Sequence, residues 1–473
     1  MGQLETGCQD PEQGVFAIES RSIDYVPSDD RHGKPQDLFT LWFCTNIAPL
    51  AVITGAMSIQ VFKLDMISAL LAICGGHFFG GIAHALSSAQ GPQVGIPQMI
   101  QSRAQFGRYG SLLVVLFTTV IYLGFFVSNI ILSGKTLNAV VPVLPLSTAT
   151  IMGAVLATGI GILGYHFIHR FNKIGMWFMG GALVIGMALM VPHINTQVLN
   201  QGQFTPTGWF SMFGLCAVWQ ISFSPYTSDY SRYLPQSIGI AKPFWYTYLG
   251  STLGTIFAFV FGMVAVGIGF HSDAMQAVKT YTGGFGSILM VLFLLNIIGH
   301  NAMNLYGAVL SCITFIQTFA GQWMPSKRIR VGLSLVLLLG STGAALWASS
   351  NFIGIFINAV FALLFILAPW VAINLLDFYL INHKRYDIEA IFAVDGGGYG
   401  KFNLKALCAY FFGILVQLPF LKNELFEGVW WDVLGGVDVS WMIGLAASAL
   451  LYYGLNVGKA RSSMAARMAS EAV

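Results

Sequence analysis

About twelve stretches of this chain stay apolar for roughly 20 residues, the length an α-helix needs to cross some 30 Å of hydrocarbon. A backbone in lipid must satisfy its own hydrogen bonds, so such stretches can only fold as helices packed on one another. They lie near 38–62, 66–89, 111–134, 148–168, 173–191, 208–228, 244–270, 285–318, 331–348, 352–376, 404–421 and 437–456. Only 9% of the 473 residues are charged and 56% are hydrophobic, a balance outside that of soluble domains. We expect an all-α polytopic membrane protein with one membrane domain at 38–456, an N-terminal tail at 1–37 and a C-terminal tail at 457–473. The first 37 residues carry acids and Pro27, unlike a cleavable signal peptide.

The basic residues give an orientation. With the N-terminus inside, the spans put only Lys63, Lys135, Lys279 and Lys422, of 23 Lys and Arg, on the outer side. The positive-inside rule then places both termini in the cytoplasm and requires an even number of spans. This scatter of charge over loops gives no nucleic-acid signature. The cysteines (Cys8, Cys44, Cys74, Cys216, Cys312, Cys408) show no metal spacing and read as reduced packing residues. The loop Asp395–Gly400 is glycine-rich, but lacks the Lys-Ser/Thr of a phosphate cradle and reads as a flexible cytoplasmic turn.

Two spans are interrupted. The first contains Asn46-Ile47-Ala48-Pro49 and the sixth Ser222-Phe223-Ser224-Pro225, and proline there removes a backbone donor and frees carbonyls of the preceding turn. These spans hold matching places if two five-helix repeats run over 38–191 and 208–376, with two extra helices at 404–456. Broken helices at matching repeat positions point to a transporter's binding site. The eighth span adds Asn296, His300, Asn301 and Asn304, amides and an imidazole deep in an apolar segment, where uncompensated polar groups cost about 2 kcal/mol or more each. Asn301 and Asn304 share a helix face, whereas Asn296 faces elsewhere and reads as structural. His77 and His84 in the second span read as packing or gating residues.

Ile23-Asp24-Tyr25-Val26-Pro27 with Arg31-His32-Gly33-Lys34-Pro35, the run Ser228-Asp229-Tyr230-Ser231-Arg232-Tyr233-Leu234-Pro235, and the Asn301/Asn304 segment together resemble the purine/cytosine permease branch of the nucleobase:cation symporter family. The resemblance covers nearly the whole chain. It implies a leucine-transporter-like fold, two inverted five-helix repeats plus two helices, with helices 1 and 6 broken, working by alternating access. It also implies an aromatic, an amide and a second aromatic around a flat base, roles that fall on Phe125, Asn129 and Trp219, with Ser222 or Phe223 as the alternative to Trp219 should the spacing to Asp229 be shifted. Asn304 matches the family's base-contacting asparagine, and Asn301 and Asn46 join it as candidates. Relatives often carry Trp where Phe125 stands.

The chemistry of these residues agrees with such a ligand. A nucleobase offers two ring faces for stacking, at about 1–3 kcal/mol per aromatic, and a rim that neutral amides can read without burying charge. Sodium in this architecture is held by carbonyls of broken helix 1, here around Ala48, and by hydroxyls of helix 8. This chain has no Ser or Thr from Leu292 to Leu310. Imidazole titrates near neutrality, so proton coupling with His300 as participant is expected, Na+ being the alternative ion. Asp229 and Arg232, at the end of the sixth span, read as a solvated gating or structural pair.

The expected function is a symporter that imports a nucleobase, cytosine first and purines next, across the cell's inner membrane. No cofactor and no obligatory protein partner are expected; the partners are the base and the bilayer. The alternative substrates are other flat heterocycles: allantoin, hydantoin or hydroxymethylpyrimidine. A membrane-embedded enzyme would need ionisable catalytic groups that the spans lack. A channel would need a continuous polar lining, whereas these amides cluster.

Overall fold

The computed structural model describes residues 23–471 apart from 164, 200, 270–272, 322, 324, 350–351, 423–425 and 434, and not the side chains at 163–173, 176, 196, 198, 353 and 461–471. Most of the expected N-terminal tail, with Cys8 and Arg21, lies outside the described residues. The helices in chain order are α1 (Gln36–Asn46), α2 (Pro49–Gln60), α3 (Met66–Val94), α4 (Gln98–Phe106), α5 (Ser111–Val140), α6 (Leu146–Leu163), α7 (Tyr165–Met190), α8 (Thr196–Leu199) and α9 (Pro206–Ile221). There follow α10 (Thr227–Ser231), α11 (Ala241–Gly267), α12 (Ala274–Thr282), α13 (Phe285–Phe319), α14 (Lys327–Ala348), α15 (Phe352–Leu376), α16 (Ile388–Phe392), α17 (Leu404–Gln417) and α18 (Ser440–Glu471). The only β pairing among the described residues is an isolated bridge between Lys422 and Glu427.

Among the described residues seven units are long and apolar enough to cross a membrane, or eight with the bent pair α1–α2 counted as one span, and three shorter apolar helices lie at Leu146–Ile162, Trp177–His193 and Leu404–Phe420. Helices α1 and α2 meet at a 58° bend. Ala48 is extended there (φ −114°, ψ 154°) and Pro49 occupies the first turn of α2, where its missing N–H costs nothing. In the sixth span a 3-10 turn at Ser224–Tyr226, carrying Pro225, separates α9 from α10.

The units sort into two packed groups. One joins α1, α2, α3, α9, α10 and α11; the other joins α5, α6, α13 and α14. Helix α7 bridges α1 and α13, while α15 touches α9 and α5 and carries α17 and α18 outside it. This is the leucine-transporter-like arrangement that the resemblance implies. Glycine sets the closest approaches in the first group: a Cβ on Gly55 would overlap the Phe259 backbone and one on Gly262 the Val52 carbonyl, so α2 and α11 touch backbone to backbone. Such contacts replace the hydrophobic drive that lipid does not supply.

Four expectations are corrected. Helix α6 ends at Leu163 and α7 begins at Tyr165, so Arg170 and Lys173 lie within a helix and not in a loop near 168–173. The last helix runs on to Glu471, past the expected end near 456, because nothing in its sequence breaks it. Two short helices were not foreseen: α4, buried at every position, and α12. The glycine-rich loop is pinned: Gly396, Gly397 and Gly400 take positive φ, and the Gly400 and Lys401 carbonyls accept from the Arg108, Tyr109 and Gly110 amides.

Candidate functional site

Helix α1 ends, at the break in the first span, on Asn46, which is fully buried. Its Nδ2 donates to the Trp42 carbonyl at 2.7 Å and to Ser251 Oγ at 3.3 Å, while its Oδ1 accepts from Trp219 Nε1 at 2.8 Å. Three partners fix which way this amide points, and through it the last turn of α1 holds the tryptophan of α9. The Trp219 ring meets Phe259 edge-on at 5.2 Å and Phe125 edge-on at 6.2 Å and 74°. Phe125 and Trp219 are thus neighbours, but they touch edge to face. A base stacked between them needs parallel rings about 7 Å apart, twice a van der Waals contact. Ser222, one turn on, donates its hydroxyl back to the Trp219 carbonyl at 2.8 Å.

Asn129 lies one turn beyond Phe125 on α5 and is fully buried, and neither its Nδ2 nor its Oδ1 has a hydrogen-bond partner. Buried amides are nearly always paired, so an orphaned donor and acceptor on one side chain mark a group arranged for something other than the fold. From α13, Asn301 Nδ2 donates to the Phe126 carbonyl at 3.2 Å and Asn304 Nδ2 reaches Asn301 Oδ1 at 3.4 Å. The pair therefore faces α5 at the level of Phe125–Asn129. Asn296 instead donates to the Cys44 carbonyl at 3.0 Å and lines a cleft of about 340 Å³ between α1, α7 and α13.

His300 is buried; its ring hydrogen-bonds the backbone of Thr45 in the last turn of α1, and its Nδ1 has no partner. Ala48 caps α2, its carbonyl accepting from Val52 at 3.1 Å. Among the described residues no group of three His, Cys, Asp or Glu side chains is placed to hold a metal ion.

Asp229 and Arg232 differ from expectation: both are buried, at 2% and 0% exposure. Helix α10 is tucked under α3 and α4, so water does not reach them. Asp229 accepts from the Gln98 amide at 2.8 Å and from the Tyr122 hydroxyl at 3.5 Å, and Arg232 donates to the Asp24 carbonyl and to the Tyr233 hydroxyl. Beside them lies an aromatic layer of which sequence reasoning picked out only Phe223: Tyr122 against Tyr226 at 4.6 Å, Trp42 against Phe223 at 5.2 Å, and Tyr230 against Tyr306 at 6.0 Å. The arginine-rich end is closed further by Arg103 of α4, which donates to Gln317 and Thr318 of α13 at 2.6 and 3.0 Å. Burial, and then the neighbouring Arg108 guanidinium, lower the pKa of Arg103 to about 9. At the other end a cavity of about 400 Å³ opens between α2, α5, α12 and α13, with Lys135, Thr136, Asp273 and Lys279 in its wall.

A bundle with two mid-membrane helix breaks, and amides and aromatics between them, defines a membrane transporter of the leucine-transporter-like class. Residues 25–444 match the sequence profile of a family of permeases for cytosine/purines, uracil, thiamine and allantoin, and the chain belongs to that family. It is 35% identical to the putative purine-cytosine permease YxlA of Bacillus subtilis over 443 residues, covering 92% of this chain and 95% of that one. Against the purine-cytosine permease FCY2 of Saccharomyces cerevisiae it is 24% identical, over 78% of this chain and 73% of the yeast protein. In fold it is similar to Mhp1, a nucleobase-cation-symport-1 family transporter solved in a closed conformation with bromovinylhydantoin bound, at TM-score 0.77 and 17% identity over 94% and 97% of the two chains.

Proposed function

We propose that the chain is a proton-driven importer of a nucleobase, cytosine first and purines next, working by alternating access in the cell's inner membrane with both termini in the cytoplasm. The observation that carries the substrate class is Asn129: a buried amide with an unused donor and an unused acceptor, one turn from Phe125 on the helix whose Phe126 carbonyl accepts from Asn301 of α13. An amide pairs with the donor and acceptor of a base edge at no cost in buried charge. Phe125 and Trp219 supply the ring faces, and Asn46, by holding Trp219, sets the position of one of them. The relatives from Bacillus subtilis and Saccharomyces cerevisiae are named as purine-cytosine permeases, which supports the same choice. Other flat heterocycles, among them allantoin, hydantoin and hydroxymethylpyrimidine, present similar edges and are the alternative substrates.

For the ion, His300 supports the proton reading: it ties α13 to the break in the first span through Thr45, and α13 carries no Ser or Thr from Leu292 to Leu310 to offer a sodium ion. Asp229 and Arg232 act as gate and support at the closed end.

The test is uptake of radiolabelled cytosine by cells expressing the chain, in sodium-free buffer, with and without a protonophore, with adenine, hypoxanthine, uracil, allantoin and hydantoin as competitors. Concentrative uptake that the protonophore abolishes is expected. Failure of cytosine to be taken up or to compete, with the protein in the membrane, rejects the cytosine assignment. Strict sodium dependence rejects the proton.

A further inference from the structure

Helices α3, α9 and α11 enclose a polar network that the reading above does not use. Gln220 Nε2 donates to Thr255 Oγ1 at 2.8 Å, and the Thr255 hydroxyl donates in turn to the Ser251 carbonyl. This fixes the amide with Oε1 toward Ser251, whose hydroxyl donates to it. His84 Nδ1 lies 3.1 Å from Ser251 Oγ and 3.3 Å from Gln220 Oε1. With the hydroxyl proton and the Oε1 lone pairs so assigned, Nδ1 can only donate. His84 is therefore the Nδ1–H tautomer, and its Nε2 is a bare lone pair, fully buried and without a partner. His77, seven residues earlier, has the opposite assignment: its Nδ1 faces the Gln220 amide nitrogen at 3.5 Å and accepts, so Nε2 carries the hydrogen.

The network reaches the candidate binding site. Ser251 Oγ accepts from Asn46 Nδ2 at 3.3 Å, and Asn46 holds Trp219. The His84 ring also meets Trp42 of α1 edge-on at 4.4 Å, and Phe223 at the break of the sixth span at 5.2 Å. One imidazole thus touches both broken helices.

We propose that His84 is a proton-binding site of the transport cycle, and that Ser251, Gln220 and Asn46 carry its protonation state to Trp219. The proposal rests on the proton-coupled reading above and adds a site to it. A proton on Nε2 makes an imidazolium among aromatic rings. The titratable and charged groups on the segments around α3 are Arg31 (before α1), Asp37 and Cys44 (α1), Cys216 (α9), Tyr226 (the break), Asp229 and Tyr230 (α10), Lys242, Tyr246 and Tyr248 (α11), Tyr379, and Cys74 and His77 on α3 itself. None of them has a hydrogen bond to His84 among those described, and the Asp229 carboxylate is engaged by Gln98 and Tyr122. Protonation therefore favours a conformation in which α3 and the two breaks separate, and the proton acts through its different affinity for the two states.

The experiment is substrate-driven proton flux in liposomes containing the purified chain and a trapped pH dye, together with the pH dependence of KM and substrate counterflow. In His84→Gln, proton flux should fall at least tenfold while counterflow persists, as exchange needs no net proton movement. Ser251→Ala leaves the imidazole in place and cuts the relay; the pH dependence of KM should flatten. If His84→Gln does not fold, Ser251→Ala decides the question, and a wild-type pH profile in that variant overturns the proposal. A wild-type chain that transports with no proton flux overturns the proton reading and this proposal together. Wild-type coupling that survives in His84→Gln and is lost in His300→Gln overturns this proposal alone.

Discussion

Asn129→Leu should make the protein more stable and less able to bind. The replacement is close to isosteric, and the position is fully buried with both amide atoms unpaired. A buried polar atom left unsatisfied costs about 1–3 kcal/mol, so two of them penalise the substrate-free fold by about 2–6 kcal/mol before relaxation. Even half of the lower figure, about 1 kcal/mol, raises Tm by roughly 1–2 °C in a chain of this size. The same change removes two hydrogen bonds to a bound base, about 2–3 kcal/mol together, or roughly 30- to 150-fold in Kd. Thermal unfolding of the purified protein, with and without cytosine, reads both quantities: the baseline should rise and the ligand-induced shift should vanish. A lower Tm with an unchanged ligand shift would show that Asn129 holds the fold together, and would refute the reasoning.

Three further outcomes are expected. Gly262→Ala drives a Cβ into the Val52 carbonyl across the α2–α11 contact and should abolish a monodisperse peak in size-exclusion chromatography, whereas Gly124→Ala, with nothing within 4 Å, should leave the peak unchanged. Tyr452→Phe removes one of three donors to the buried Asp377 carboxylate, at 2.6 Å beside Tyr386 and Asn382; the loss of a charge-assisted bond should cost about 1.5–3 kcal/mol, seen as a lower Tm and faster proteolysis of α18. Asp65 caps α3 by accepting from the Ser68 amide at 2.9 Å, and Asp65→Ala should cost about 1 kcal/mol while Asp65→Asn is near neutral in thermal unfolding. Burial opposes the Asp65 charge, but hydrogen bonds from Ser68 outweigh it and hold the pKa below the ordinary value, so this contribution is present above the unfolded pKa and fades as pH falls through the folded one.

The apolar helices and both breaks were legible because hydrocarbon thickness and proline geometry act on local sequence. Asn301 and Asn304 stood out as amides in an apolar helix and Asn129 came from the family resemblance; the structure buries all three. What local sequence could not give is partnership. His77 and His84 look like packing residues along α3, and only the approach of Gln220, Thr255 and Ser251 from two other helices turns them into a network. Asp229 and Arg232 resemble a solvated pair at a helix end, and only α4, whose polar sequence gives no sign that every position is buried, shows that they are enclosed. Apart from Phe223, the aromatic layer was hidden among the 37 Phe and 17 Tyr of an ordinary membrane chain.

The two packed groups differ in how they are joined internally and to each other, and that difference sets where the molecule can open. Within the first group the helices touch backbone to backbone at Gly55 and Gly262, contacts that cannot slide without large overlap. Between the groups, at the arginine-rich end, α5 meets α10 through the 3.5 Å contact of Tyr122 with Asp229, and α4, which belongs to neither group, is tied to α13 by the two side-chain bonds of Arg103. Such bonds contribute about 1 kcal/mol each, or somewhat more when charged, so the interface between groups is the cheaper one to break. Asp229→Ala should therefore favour opening at that end: it removes the contact with Tyr122 and leaves the Gln98 amide, 2.8 Å from the carboxylate, without that acceptor. In a variant with its native cysteines replaced and Ser222→Cys added, Asp229→Ala should speed labelling by an impermeant thiol reagent from the arginine-rich side, by roughly fivefold for each kcal/mol shifted between states. Unchanged labelling from that side, with added substrate still slowing it in both variants, would show that Asp229 plays no part in keeping the end closed and that the gate lies with Arg103 and α4 instead.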